Sequence, residues 1–274
     1  MNKGVVSVLV AYLIWGLYPF YFHAMQHVAP TEIVIHRVLW TFALLAVYLF
    51  CSRRWRWIQK AITDRRTVAV FLMSSVLITA NWSTYTYAIV TNQTLEASLG
   101  YFMNPLVSVL LGTVFLKEKL NKAQMLAIVF ACAGVMWVTF KQGEFPALGL
   151  TLALSFGFYG LVRKMAPLGS LEGLTLETAF AFPVALLATF YFAGNGDLTF
   201  VHGTSWDKFW LIMAGPITTI PLILFAYGLK QVPYSTVGFI QYLSPTMVFF
   251  IGLFFFGEEL QVDRLIGFIL ISVS

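Results

Sequence analysis

Arg37 stands in an apolar run, 31–51, that is long enough to cross a bilayer. A charge in hydrocarbon is costly and persists where it meets a partner, a substrate or a water-filled cavity. Its guanidinium can attract a carboxylate or another electron-rich group. Glu177 occupies the corresponding place in the run 171–192, 140 residues further on. Arg37 would lie about 9 Å below one membrane surface, at 1.5 Å per residue. Glu177 would lie at similar depth from the other, so in a core of about 30 Å the two are separated by about 12 Å along the normal. A direct Arg37–Glu177 bridge is therefore not expected. Glu96, at the start of the run 95–116, is nearer in depth to Arg37, and Arg163 or Lys164 are nearer to Glu177. These pairs would make one charged gate at each end, or would simply fix helix contacts. Glu96 also suits a helix start, where a carboxylate favours the dipole. His36 points about 100° away from Arg37 on a helix. Imidazole titrates near pH 6.5 in water, so His36 can carry a coupled proton; an intramembrane histidine also serves as a hydrogen-bonded packing residue.

Other residues suggest the wall of a cavity. Glu96, Gly100, Asn104, Ser108 and Gly112 recur every fourth residue and share one helix face. Small and polar residues on one face mean close packing or a cavity wall. Pro105 frees the carbonyl of Tyr101. Gly238, Gln241, Ser244 and Pro245 hold the comparable place in a later run. Asn81, Trp82 and Tyr85 lie near the middle of 68–90, and a polar, aromatic midplane segment suits an amphipathic or aromatic ligand. Trp15, Tyr18 and Tyr159 add ring surface, whereas Trp55, Trp57 and Trp206 suit interfacial anchoring. Gly215-Pro216 and Pro221 are expected to kink or break the run 206–229.

The elements that position these residues are apolar helices. The chain has 274 residues, 59% hydrophobic and 11% charged, against about 25% charged in a soluble domain. Ten spans can be drawn: 4–23, 31–51, 68–90, 95–116, 123–140, 146–162, 171–192, 206–229, 234–256 and 262–274. The predicted class is all-α, a polytopic membrane protein. The first run is too long for the apolar core of a signal peptide. The last rises about 20 Å, short of a full crossing, so the tenth helix is expected to be truncated. With the N-terminus in the cytoplasm, 13 of the 17 Lys and Arg fall in inside loops and three in outside loops. That asymmetry puts both termini inside. The net charge of +5 therefore reads as a topology signal and not as nucleic-acid affinity. Cys51 and Cys132 have no CxxC spacing and read as small buried residues, not as a disulfide or metal site.

An internal repeat organises the spans. At an offset of 140, Tyr87 falls on Tyr227, Pro105 on Pro245, Gly112 on Gly252, Phe115 on Phe255, Glu118 on Glu258 and Leu120 on Leu260. At 141, Gly16 falls on Gly157 and Tyr18 on Tyr159. The halves are 1–140 and 141–274, with five helices each. An odd number inverts the second copy, the arrangement by which many transporters build two gates about a midplane site.

Several strings carry a family likeness. His36-Arg37-Val38 follows Pro30-Thr31-Glu32-Ile33, and Glu96-Ala97-Ser98-Leu99-Gly100-Tyr101-Phe102 leads into Asn104-Pro105-Leu106. Phe158-Tyr159-Gly160-Leu161-Val162-Arg163-Lys164 closes the sixth span, and Ser235-Thr236-Val237-Gly238-Phe239-Ile240-Gln241-Tyr242 leads into Pro245-Thr246. Over essentially the whole chain the sequence resembles the EamA family of the drug/metabolite transporter superfamily. The resemblance implies ten helices, cytoplasmic termini in a bacterial inner membrane, and secondary transport.

Together these readings point to a carrier, expected to export small organic solutes such as amino acids, aromatic metabolites or drugs by alternating access. A channel or passive facilitator for the same solutes is the alternative. HExxH, GxxxxGK[ST] and GxSxG are absent, so neither a metal or nucleotide cofactor nor an enzyme is expected. The expected partners are the solute and the lipid bilayer, with no nucleic acid, and the protein works as a monomer or homodimer. The expected ligand-binding residues are Arg37, Asn81, Trp82, Tyr85, Tyr101, Asn104, Gln241, Trp15 and Tyr159, with His36, Glu96 and Glu177 in gating or proton coupling.

Overall fold

Apolar runs of this length satisfy their backbone groups only by forming helices, and helices are what the described residues form. The structure, a computed structural model, describes residues 2–90, 94–122 and 147–255, with eight positions between 124 and 136. The elements are α1 Lys3–Gly16, α2 Tyr18–Ala24, α3 Pro30–Ser52, α4 Arg56–Thr63, α5 Arg65–Val90 and α6 Thr94–Leu116. They continue as α7 Ala147–Met165, α8 Ser170–Gly194, α9 Thr199–His202, α10 Ser205–Leu229, α11 Tyr234–Gln241 and α12 Leu243–Phe255. Five segments are long and apolar enough to cross a membrane: Lys3–Ala24, Pro30–Ser52, Arg65–Ala88, Ser170–Gly194 and Ser205–Leu229. Most of the fifth predicted span, all of the tenth and the boundary at 140 lie outside the described residues.

Packing follows a paired pattern. α1 packs on α10 and α12, while α7 packs on α5 and α6. α3 packs on α10 and α8 packs on α5; α3 and α8 also meet each other, as do α6 and α11. Small residues allow the closest approaches. A Cβ on Gly100 would fall 2.7 Å from the Gly149 carbonyl oxygen, and one on Gly228 would meet the Gly4 carbonyl and Val8. Gly16 faces Met247, and Gly157 faces Val107.

Four local features depart from expectation. α10 runs unbroken through Pro216 and Pro221. Pro221 cannot donate to Ile217, and the Tyr18 hydroxyl donates to that carbonyl instead, at 2.8 Å. The breaks fall elsewhere, at Leu17 between α1 and α2 and at Tyr242 between α11 and α12. The loops at 52–67 and 193–205 each hold a short helix, α4 and α9. Cys51 is exposed and not buried, because it leaves α3 on the same outer side as the exposed Val47 and Phe50.

Candidate functional site

Arg37 is 7% exposed on a helix that is packed on three sides. Its Nε donates to Thr218 Oγ1 of α10 at 3.0 Å. The guanidinium carbon lies 4.3 Å from the Trp82 ring centre on α5 and 6.0 Å from the Tyr18 ring on α2. A cation over an indole face is stabilised by about 0.5–2 kcal/mol, most when desolvated. Among the described residues no carboxylate is paired with Arg37. A row of rings continues from it: Tyr18 to Phe22 at 6.0 Å, Phe22 to Tyr85 at 5.6 Å and Tyr85 to Tyr101 at 5.7 Å. Tyr101 is 40% exposed, so the row leads from the buried cation to the molecular surface.

A second polar cluster surrounds Glu177, which is 1% exposed, and Arg163, which is fully buried. Arg163 Nε is 3.3 Å from Glu177 Oε1, an ion pair whose hydrogen bond is poorly aligned. The Ser74 hydroxyl donates to the same carboxylate oxygen, and the Tyr159 hydroxyl is 3.4 Å from the other. Ser75 donates to the Glu177 carbonyl at 2.7 Å. Arg163 Nη2 donates to the Ser170 carbonyl at 3.0 Å, and its guanidinium lies 5.4 Å from the Phe71 ring. Of the two cations considered for Glu177, Arg163 is therefore its partner. Lys164 Nζ instead donates to the Leu229 carbonyl at 2.9 Å and to that of Val232. Lys230 Nζ reaches back to the Ala166 carbonyl at 2.7 Å and to that of Leu168. Burial, and then the charge of Arg163, push the Lys230 ammonium below its usual range.

His36 faces away from the Arg37 cluster. Trp40 Nε1 donates to His36 Nδ1 at 2.9 Å, so a neutral ring carries its proton on Nε2, 3.9 Å from Glu32 Oε1. The Glu32 carboxylate accepts from the backbone N–H groups of Thr199 at 2.9 Å and Phe200 at 2.7 Å, holding α9 in place. Glu96 lies on α6, but its side chain is outside the described residues, and the Arg37–Glu96 pairing with it.

The remaining predicted residues divide between two places. Asn81 Nδ2 donates to the Leu152 carbonyl and to Ser155 Oγ, both at 3.0 Å, tying α5 to α7. Gln241 Oε1 accepts from Ser108 Oγ at 3.3 Å. Asn104 is 4% exposed, and its Oδ1 has no hydrogen-bond partner among the described residues. Trp15 belongs to the apolar core, with its ring 5.0–5.8 Å from Tyr12, Phe156 and Phe225. Thr218, Ser74, Ser75, Glu32 and Tyr234 were not singled out from the sequence. Tyr234 donates to the Gly157 carbonyl at 2.6 Å. Ser74 stands seven residues before Asn81, on the same helix face, and that spacing was the available signal.

Two sets of buried charges, a row of rings and long apolar helices describe a membrane protein with a polar interior. The sequence pattern of the EamA-like transporter family matches residues 2–140 and again 146–274. The chain belongs to the EamA-like transporter family. Its relatives include an uncharacterized transporter of Pseudomonas aeruginosa, 39% identical over 100% of this chain and 92% of that protein. The uncharacterized transporter YojE of Bacillus subtilis is 40% identical over 97% of this chain and 90% of its own. The protein RarD of Escherichia coli is 37% identical over 100% and 92%. A crystal structure sharing 14% identity superposes with a TM-score of 0.69, over 98% of this chain and 95% of the other, a likeness of fold. This EamA-family member is thus an integral membrane protein of a transporter family, and the named relatives are called transporters or RarD.

Proposed function

We propose that the protein is a secondary active transporter that exports small organic solutes carrying an anionic or aromatic group. The observation that carries this reading is Arg37. It is a buried cation over the Trp82 face, beside Tyr18, and among the described residues its Nε donates to the neutral Thr218 hydroxyl. A carboxylate on a solute would pair with the guanidinium, and the rings would hold the solute's apolar part. Asn104 Oδ1 and the Gln241 amide supply further polar contacts.

The solute would be passed by alternating access within ten helices arranged as two inverted repeats. The family pattern matches twice, at an offset close to the sequence repeat. Packing is exchanged between the halves in the same sense: α1 on α10 answers to α7 on α5. Arg37 with Tyr18 and Glu177 with Tyr159 stand at corresponding positions of the two copies. The Lys and Arg distribution supports a bacterial inner-membrane location with both termini in the cytoplasm. The working unit would be a monomer or a homodimer.

Facilitated diffusion is the second reading, and the Glu177 site favours it. A carboxylate already held by Ser74, Arg163 and Tyr159 has the partners of a structural charge. The deciding experiment is flux of amino acids and aromatic acids into proteoliposomes, with and without an imposed pH gradient. Accumulation against the solute gradient, lost when the proton gradient collapses, supports the coupled carrier. Saturable flux that only equilibrates supports the facilitator, and absence of flux for every anionic and aromatic solute removes the Arg37 assignment.

A further inference from the structure

The segment between α3 and α5 is the most basic on the chain. Arg53, Arg54, Arg56, Lys60, Arg65 and Arg66 fall within fourteen residues, with Asp64 the sole acid. Asp64 is already engaged: its carboxylate accepts from the Thr67 hydroxyl at 2.6 Å and from the backbone N–H groups of Arg66 and Thr67 at the start of α5. Among the described residues, Arg53, Arg54 and Arg56 have no carboxylate partner.

Two observations converge on one place. Arg53, Arg54, Arg56 and Trp57 line an open hollow of about 470 Å³. α4 begins at that hollow with no side chain capping its N-terminus and no acidic residue in its first turn. Arg53 is held in the left-handed region, at φ 53°, to turn the chain out of α3. Guanidinium forks and an uncapped helix start are donors, and together they suit a phosphate.

The surroundings indicate where that phosphate comes from. The hollow lies where two apolar spans, Pro30–Ser52 and Arg65–Ala88, end and begin, at the boundary of the hydrocarbon. Beside it Phe50 is 74% exposed and Trp55 44% exposed, their rings 6.5 Å apart edge to face. α4 is anchored beneath by Trp57 and Ala61, which pack against Phe71, Ala166 and Leu176. A cationic hollow with an apolar lip at this level fits a phosphodiester bearing acyl chains better than a free ion.

We propose that this hollow binds the headgroup of an anionic phospholipid at the membrane surface. Phe71 lies in the cluster under α4 and also faces the Arg163 guanidinium, so an occupied hollow would brace the Glu177 cluster from outside.

The test needs no transported solute and so stands or falls separately from the proposed function. The purified protein is placed in phosphatidylcholine nanodiscs and titrated with phosphatidylglycerol, and retained lipid and melting temperature are followed. Phosphatidylglycerol should be retained selectively and raise the melting temperature. The triple variant R53Q/R54Q/R56Q should lose retention about a hundredfold, since each basic residue near an anionic surface contributes about fivefold. Its melting in pure phosphatidylcholine should be unchanged. Equal retention of the two lipids, full retention by the triple variant, or an equal rise with inorganic phosphate alone would overturn the proposal.

Discussion

Arg37 was conspicuous in the sequence because a charge in an apolar run has no cheap explanation, and Glu177 for the same reason. Their partners were less legible. Hydroxyls are common in membrane helices, so Ser74 and Thr218 carried no signal until the rotation of each helix was known. The pairing of Glu177 with Arg163 and not Lys164 was likewise decided by which way α7 turns. Arg37→Ala is expected to abolish transport while the protein remains folded; wild-type uptake by that variant would show that the guanidinium does not touch the solute. Arg37→Lys should also lose most flux, because an ammonium keeps the charge but neither the flat face on Trp82 nor the fork. The Glu177–Arg163 pair makes a different prediction. Removing one partner of a buried pair leaves an uncompensated charge and costs about 3–5 kcal/mol. Glu177→Gln and Arg163→Met should therefore each lower the melting temperature sharply. The double variant should melt closer to wild type than either, and additive losses would mean that the two charges are not coupled.

Helices that cross hydrocarbon were legible because length and composition alone identify them. The short helices α4 and α9 were not, since four to eight residues are too few to show a helical period. Tertiary contacts hold both: Trp57 and Ala61 anchor α4, and the Glu32 carboxylate caps α9. Pro221 illustrates a local rule overridden by a distant hydroxyl. Tyr18→Phe would leave the Ile217 carbonyl without that donor, at about 1–3 kcal/mol, and should lower the melting temperature while keeping the ring beside Arg37. Glu118 plays a comparable part for α11, accepting from Tyr234 N at 2.6 Å, Ser235 N at 2.8 Å and Ser235 Oγ at 2.7 Å. Glu118→Ala should speed amide exchange at the start of α11. Asp64 adds a pH dependence outside the membrane. The Thr67 hydroxyl and nearby backbone N–H groups hold its carboxyl below its ordinary value of 3.8. Its hold on the start of α5 is therefore complete above that value and lost as pH falls through the lowered one, which amide exchange across Arg66 and Thr67 would register.

At the scale of the whole chain the proposed twofold plan rests on glycines and prolines that match between the halves, while the polar residues differ. In that plan Gly16, which faces Met247, would answer to Gly157, which faces Val107. Arg37 and Glu177 would also correspond, yet one sits under an indole and the other in a cage of hydroxyls and a guanidinium, so the two halves would present unlike sites. The lysines at one end of the molecule add a final consequence. Lys164, in the last turn of α7, donates to carbonyls at the end of α10, and Lys230, at the end of α10, donates to carbonyls just past α7. Each ammonium thus sits at the negative pole of the other helix. Neither terminus can fray without stripping the cap from its neighbour, so the two ends share a single opening equilibrium, and deuterium should enter both at one rate.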